Sequence, residues 1–194
     1  MVVTAALLAV AGILDFSNTE DLDSVWVDVF YVGALVMSAG VGVVLATRRG
    51  ENPIGWLLLA LAIVLALSAV AAEYATQGLL ASSDPLPGAR FAALYNEAAW
   101  PMLFAPLAAI AFVFPDGRLP SPRWRPVAIG ALTSCSAAVV LNFLGVDKIE
   151  EPFDAFSSPL PQLPDAIFYP LYTVASLGLA ASLLAAVLAM RARE

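Results

Sequence analysis

The sequence predicts an all-α fold: a polytopic integral membrane helical bundle of about six transmembrane helices, one domain over residues 1–194, with both termini cytoplasmic. Composition is the first reason. Hydrophobic residues make up 61% of the chain and charged ones 13%, where a soluble domain has about half and about a quarter. A soluble core cannot absorb that much apolar surface. Second, the apolar residues gather in runs of about twenty, the length a helix needs to cross a bilayer. Third, Lys and Arg fall in every second connection, as expected of residues that resist translocation.

The first run, Met1 to Leu14, lacks the basic start and small-residue cleavage site of a secretory signal and reads as a short first span. The acidic stretch Asp15 to Asp23 separates it from the second span, 25–46, which stops at Arg48 and Arg49. Asn52, Pro53, Gly55 and Trp56 then form a tight cytoplasmic turn into the third span, 54–74, with Pro53 in the first helical turn, where its missing N–H costs nothing. Residues Gln77 to Arg90 have the Gly, Ser, Asp and Pro content of a loop.

The fourth span, 91–114, contains Pro101 and Pro106, each expected to free a carbonyl one turn earlier and to kink the helix near mid-membrane. A second basic connection follows, an ordered cytoplasmic elbow carrying Pro115, Asp116, Gly117, Arg118, Arg123, Trp124 and Arg125, whose prolines exclude a continuous helix. The fifth span, 127–144, leads to the acidic loop Asp147 to Asp165, and the sixth, 167–190, ends in Arg191 and Arg193.

Orientation follows from the cations. Arg48, Arg49, Arg118, Arg123, Arg125, Arg191 and Arg193 fall on one side, and only Arg90 and Lys148 on the other. The net charge of -7 comes from acids such as Asp84, Asp147, Glu150, Glu151 and Asp154, which collect outside. Trp56 and Trp124 mark the inner interface; Trp26, Tyr31, Tyr95, Trp100 and Tyr169 mark the outer one.

The chain has no histidine, which removes the commonest general base, metal ligand and phosphoacceptor together. With no nucleophile, metal or phosphate constellation either, the expectation is a chain that is not an enzyme and takes no cofactor and no nucleic acid. Cys135, the single cysteine, reads as a small packing residue.

Glu73 and Glu97 are carboxylates inside apolar runs, and ionisable groups at that depth are functional candidates by default. Facing each other across the loop, their like charges would favour sharing a proton, giving a proton or cation site; otherwise each reaches interfacial water. The stripes Ala34–Ser38–Gly42–Ala46, Gly130–Ser134–Ala138 and Gly178–Ser182–Ala186 predict close helix packing, either within one bundle or in a homodimer. The acidic outer loops have no EF-hand spacing and read as a solvated face.

Two stretches are more distinctive than composition: Arg48-Arg49-Gly50-Glu51-Asn52-Pro53-Ile54-Gly55-Trp56-Leu57-Leu58, and Phe114-Pro115-Asp116-Gly117-Arg118-Leu119-Pro120-Ser121-Pro122-Arg123-Trp124-Arg125-Pro126-Val127. Both resemble cytoplasmic connections in the N-terminal membrane region of actinobacterial sensor histidine kinases. The resemblance implies a sensor or signal-input module of a two-component system in the plasma (inner) membrane, with a cytoplasmic kinase or response regulator as output partner. Kinase domains do not follow the last span in this sequence, so the expectation is a sensor fragment or a stand-alone relative. A small transporter or channel subunit using Glu73 and Glu97, and a stand-alone structural membrane protein, are the competing readings.

Overall fold

The computed structural model describes residues 25–191; the expected span Met1–Leu14, the acidic stretch Asp15–Asp23 and Arg193 lie outside them. Among the described residues six α-helices follow one another: α1 (Val25–Arg48), α2 (Pro53–Thr76), α3 (Ala89–Ala98), α4 (Phe104–Val113), α5 (Arg125–Gly145) and α6 (Asp165–Arg191). α1, α2, α5 and α6 are each long and apolar enough to cross a bilayer, and α3 with α4, bent by 55°, counts as a fifth span when taken as one.

The polarity of the bundle is that of a protein dissolved in lipid. Its buried residues are mostly small, among them Ala62, Ala66, Ala108 and Ala138, while Val174, Leu177 and Leu184 are 70%, 66% and 68% exposed. Burying leucine gains nothing where the solvent is itself hydrocarbon, so close backbone approach and van der Waals packing decide the interior. α1 crosses α2 at such a point: a Cβ on Gly55 would lie 2.5 Å from Ala46 N and 3.0 Å from Gly42 O. Between α5 and α6, a Cβ on Gly178 would collide with the Ser134 side chain. Gly42, Ala46, Ser134 and Gly178 are therefore taken up inside the bundle. Cys135 is fully buried on α5, as a packing residue should be.

Several expected boundaries shift. The segment from Gln77 is not yet a loop: α2 continues as a wide π turn, Gln77–Ala81, and α3 already begins at Ala89. Burial explains the difference, because Leu79 packs with Ala75, Ala89 and Ala93 and the Leu86 N–H donates back to Gly78 O at 3.0 Å. Of the two expected kinks only one forms. The break is the 3-10 turn Trp100–Leu103, which holds Pro101, whereas Pro106 falls in the first turn of α4, where a proline leaves no new carbonyl unpaired. The Asn142 amide of α5 approaches the Ala98 carbonyl at this break, at 3.5 Å. The elbow is also shorter than expected: Pro122–Trp124 form a 3-10 turn and Arg125 begins α5, so Arg123, Trp124 and Arg125 stand on helical turns.

The two ends of the bundle differ in charge. At one end the α1–α2 connection, the elbow and the last turns of α6 come together, with Arg48, Arg49, Arg118, Arg123, Arg125 and Arg191. The other end holds the α2–α3 and α5–α6 connections, with Asp84, Asp147, Glu150, Glu151 and Asp154 beside Arg90 and Lys148.

Candidate functional site

At the basic end, α1 finishes on Arg48, a cation at the negative end of a helix dipole. The Asn52 N–H donates to Arg49 O at 2.8 Å and turns the chain at once. Asn52 Oδ1 then accepts from the Ile54 N–H at 3.0 Å, capping α2 with Pro53 in its first turn. The Trp56 indole N–H donates to Gly50 O at 3.2 Å while its ring stays 59% exposed. Asn52, Pro53 and Trp56 thus build the expected turn, and Gly55 serves the helix crossing instead.

The elbow starts where α4 ends, with the Gly117 N–H donating to Val113 O at 2.8 Å. Gly117 has φ 76°, and a Cβ there would stand 2.7 Å from Asn52 Oδ1 and 2.8 Å from Pro53 Cδ. The two distinctive stretches of sequence are therefore in contact, one laid on the cap of the other. Between them opens a cavity of about 510 Å³ whose lining includes Arg48, Arg49, Glu51, Asp116 and Arg118. Farther along, Leu119 and Trp124 pack against the buried cluster of Ala108, Phe112, Ala131, Ala186 and Ala189, the last two in the final turns of α6; the Trp124 and Phe112 ring centres are 6.3 Å apart.

At the acidic end the structure provides a partner for Glu97 that sequence reasoning missed. Its carboxylate accepts from the Glu150 backbone N–H at 2.9 Å, and the like charge bearing on it is the Glu150 carboxylate. Glu73 is half-buried one turn before the end of α2, its carbonyl accepting from the Gln77 N–H. The loop carrying Glu150 is folded: Lys148 and Ser157 form an antiparallel bridge, and Ile149 and Phe153 bury themselves against Ala75, Leu79, Ala89 and Ala93. Arg90 lies over the Phe156 ring at 5.7 Å. Its charged residues Glu150, Glu151 and Asp154 are exposed, so the face is solvated as expected, on a loop that is an apolar plug underneath. The signal for the plug was the set Ile149, Phe153 and Phe156, apolar residues spaced among acids.

Among the described residues, no three His, Cys, Asp or Glu side chains are placed to hold a metal ion. No family model, curated protein or solved structure matches the chain.

Proposed function

We propose that this chain is a membrane-embedded signal-input module, set in the plasma membrane with its basic end in the cytoplasm, that passes a conformational change to a cytoplasmic output partner such as a kinase or response regulator. The observation that carries this reading is that Leu119 and Trp124 of the elbow pack against one buried cluster, Ala108, Phe112, Ala131, Ala186 and Ala189, which joins α4 and α5 to the last turns of α6. A displacement at the docked connections is then felt where α6 leaves the bundle at Arg191. The resemblance of those same connections to sensor-kinase membrane regions supports it.

The charge difference between the two ends supports the orientation, since cations are retained on the cytoplasmic side. With Met1–Leu14 as a sixth span, both termini then lie inside. The acidic end faces the envelope, where a stimulus can bias the bundle only through unequal affinity for two arrangements. The transport reading draws on Glu73 and Glu97 alone: among the described residues Ser182 is the buried polar side chain, and its hydroxyl donates to Gly178 O at 2.6 Å.

Joining α6 after Arg191, in helical register, to the cytoplasmic part of a histidine kinase tests the proposal. Leu119→Ala and Trp124→Ala are expected to change autophosphorylation in vesicles several-fold, and the lipid-facing Val174→Ala and Leu184→Ala to leave it alone. Equal activity in all four would sink it.

A further inference from the structure

The cavity between the two basic-end connections has a use that signal transfer does not account for. Arg48 and Arg49 project from the end of α1 and Arg118 from the elbow, and all three line one open space with Glu51 and Asp116. Three cations against two carboxylates leave an excess of one positive charge. That excess matches the single negative charge of a phosphodiester and is ill-suited to a cationic ligand. Guanidinium groups are planar forks that grip phosphate oxygens bidentately and shed water more readily than ammonium groups.

The depth of the cavity points the same way. Gly50 lines it, and the Gly50 carbonyl accepts the Trp56 indole N–H at 3.2 Å while the indole ring is 59% exposed. Tryptophan with an exposed ring and a satisfied N–H settles at headgroup level, so the cavity stands level with lipid phosphates. The walls are also held in place. Gly117 leaves no space for a side chain between elbow and cap, and Asn52 is anchored at both its N–H and its Oδ1.

We propose that this cavity is a phosphate-binding site, filled from the bilayer by the phosphodiester headgroup of an anionic phospholipid or from solution by free phosphate. It is independent of the signalling reading and is tested by binding alone.

Native mass spectrometry of the detergent-solubilised chain, titrated with phosphatidylglycerol, phosphatidylcholine and inorganic phosphate, reads the site directly. One phosphatidylglycerol is expected to be retained in preference to phosphatidylcholine. Retention that survives excess inorganic phosphate assigns the site to the lipid, and displacement by inorganic phosphate assigns it to the free anion. Arg48→Gln with Arg49→Gln should weaken binding about twenty-five-fold, each arginine at an anionic surface contributing about fivefold. Arg48→Lys with Arg49→Lys keeps the charge that directs insertion and should still lose several-fold, because the forks are gone. The pair Arg123→Gln with Arg125→Gln, equal in charge and outside the cavity, should bind nearly as the parent does. Equal losses in the two glutamine pairs, or no preference for either phosphate ligand over phosphatidylcholine, would overturn the proposal.

Discussion

Replacing Gly117 by alanine separates two effects that usually come together, because a second glycine serves as its control. Gly117 has φ 76° and Gly88 has φ 79°. Forcing an L side chain into that region costs roughly 1–2 kcal/mol wherever it happens. Nothing lies within 4 Å of a Cβ built on Gly88, whereas one on Gly117 meets Asn52 Oδ1 at 2.7 Å and Pro53 Cδ at 2.8 Å. Crowding of that kind costs about 1–3 kcal/mol, and pushing Asn52 aside loosens the cap on α2, worth about 1 kcal/mol. Gly117→Ala is therefore expected to lose about 3–6 kcal/mol and Gly88→Ala about 1–2 kcal/mol, measured by reversible unfolding in mixed micelles with helicity as the readout. Gly117→Asn, which tolerates the left-handed backbone but still carries a Cβ, should keep most of the loss. Equal destabilisation by the two alanine substitutions would mean that the backbone angle alone matters, and it would refute the docking of the elbow on the α2 cap.

Three further outcomes are expected from the same assay. Gly55→Ala should lose about 1–3 kcal/mol by prising α1 from α2, while Gly40→Ala, with nothing within 4 Å, should gain up to about 1 kcal/mol from helix propensity. Glu97→Gln keeps an acceptor for the Glu150 N–H and removes a like charge, so it should match or exceed the parent near neutral pH; Glu97→Ala should lose about 1 kcal/mol and speed amide exchange at Glu150. Phe153→Ala should lose about 3 kcal/mol by emptying the plug, against less than about 0.5 kcal/mol for the exposed Asp154→Ala.

Four of the expected spans, and the bent pair α3 and α4 as a fifth, were legible because lipid imposes one simple rule on them, and the Asn52–Trp56 turn was legible because capping is local. Contacts between distant segments left weaker traces. Nothing local to Gly117 says that its neighbour is Asn52; only the unusual composition of both stretches marked them out. Gly78 argued for a loop already after Thr76, but burial of Leu79 overrode its propensity, and the loop begins only at Ser82 and Ser83. Pro106 carries the same helix-breaking chemistry as Pro101, and its position three residues into α4 made it harmless. Tyr31, assigned to the outer aromatic belt, turns its hydroxyl inward and donates to Leu65 O at 2.6 Å, since a buried helix carbonyl accepts a second bond as readily as interfacial water does. For Glu97, the backbone N–H from which its carboxylate accepts comes from a loop 53 residues away, which no local spacing announces.

The orientation of the two ends carries the rest of the account, and cysteine labelling in intact cells measures it most directly. In a Cys135→Ser background, Glu51→Cys and Asp116→Cys probe the basic end, and Asp84→Cys and Asp154→Cys the acidic end; all four positions are exposed. A membrane-impermeant maleimide should label the acidic-end pair in intact cells and the basic-end pair only after lysis. Labelling of Glu51→Cys or Asp116→Cys from outside, with Asp84→Cys and Asp154→Cys protected, would contradict the cytoplasmic placement of the docked connections and the signal-input function built on it.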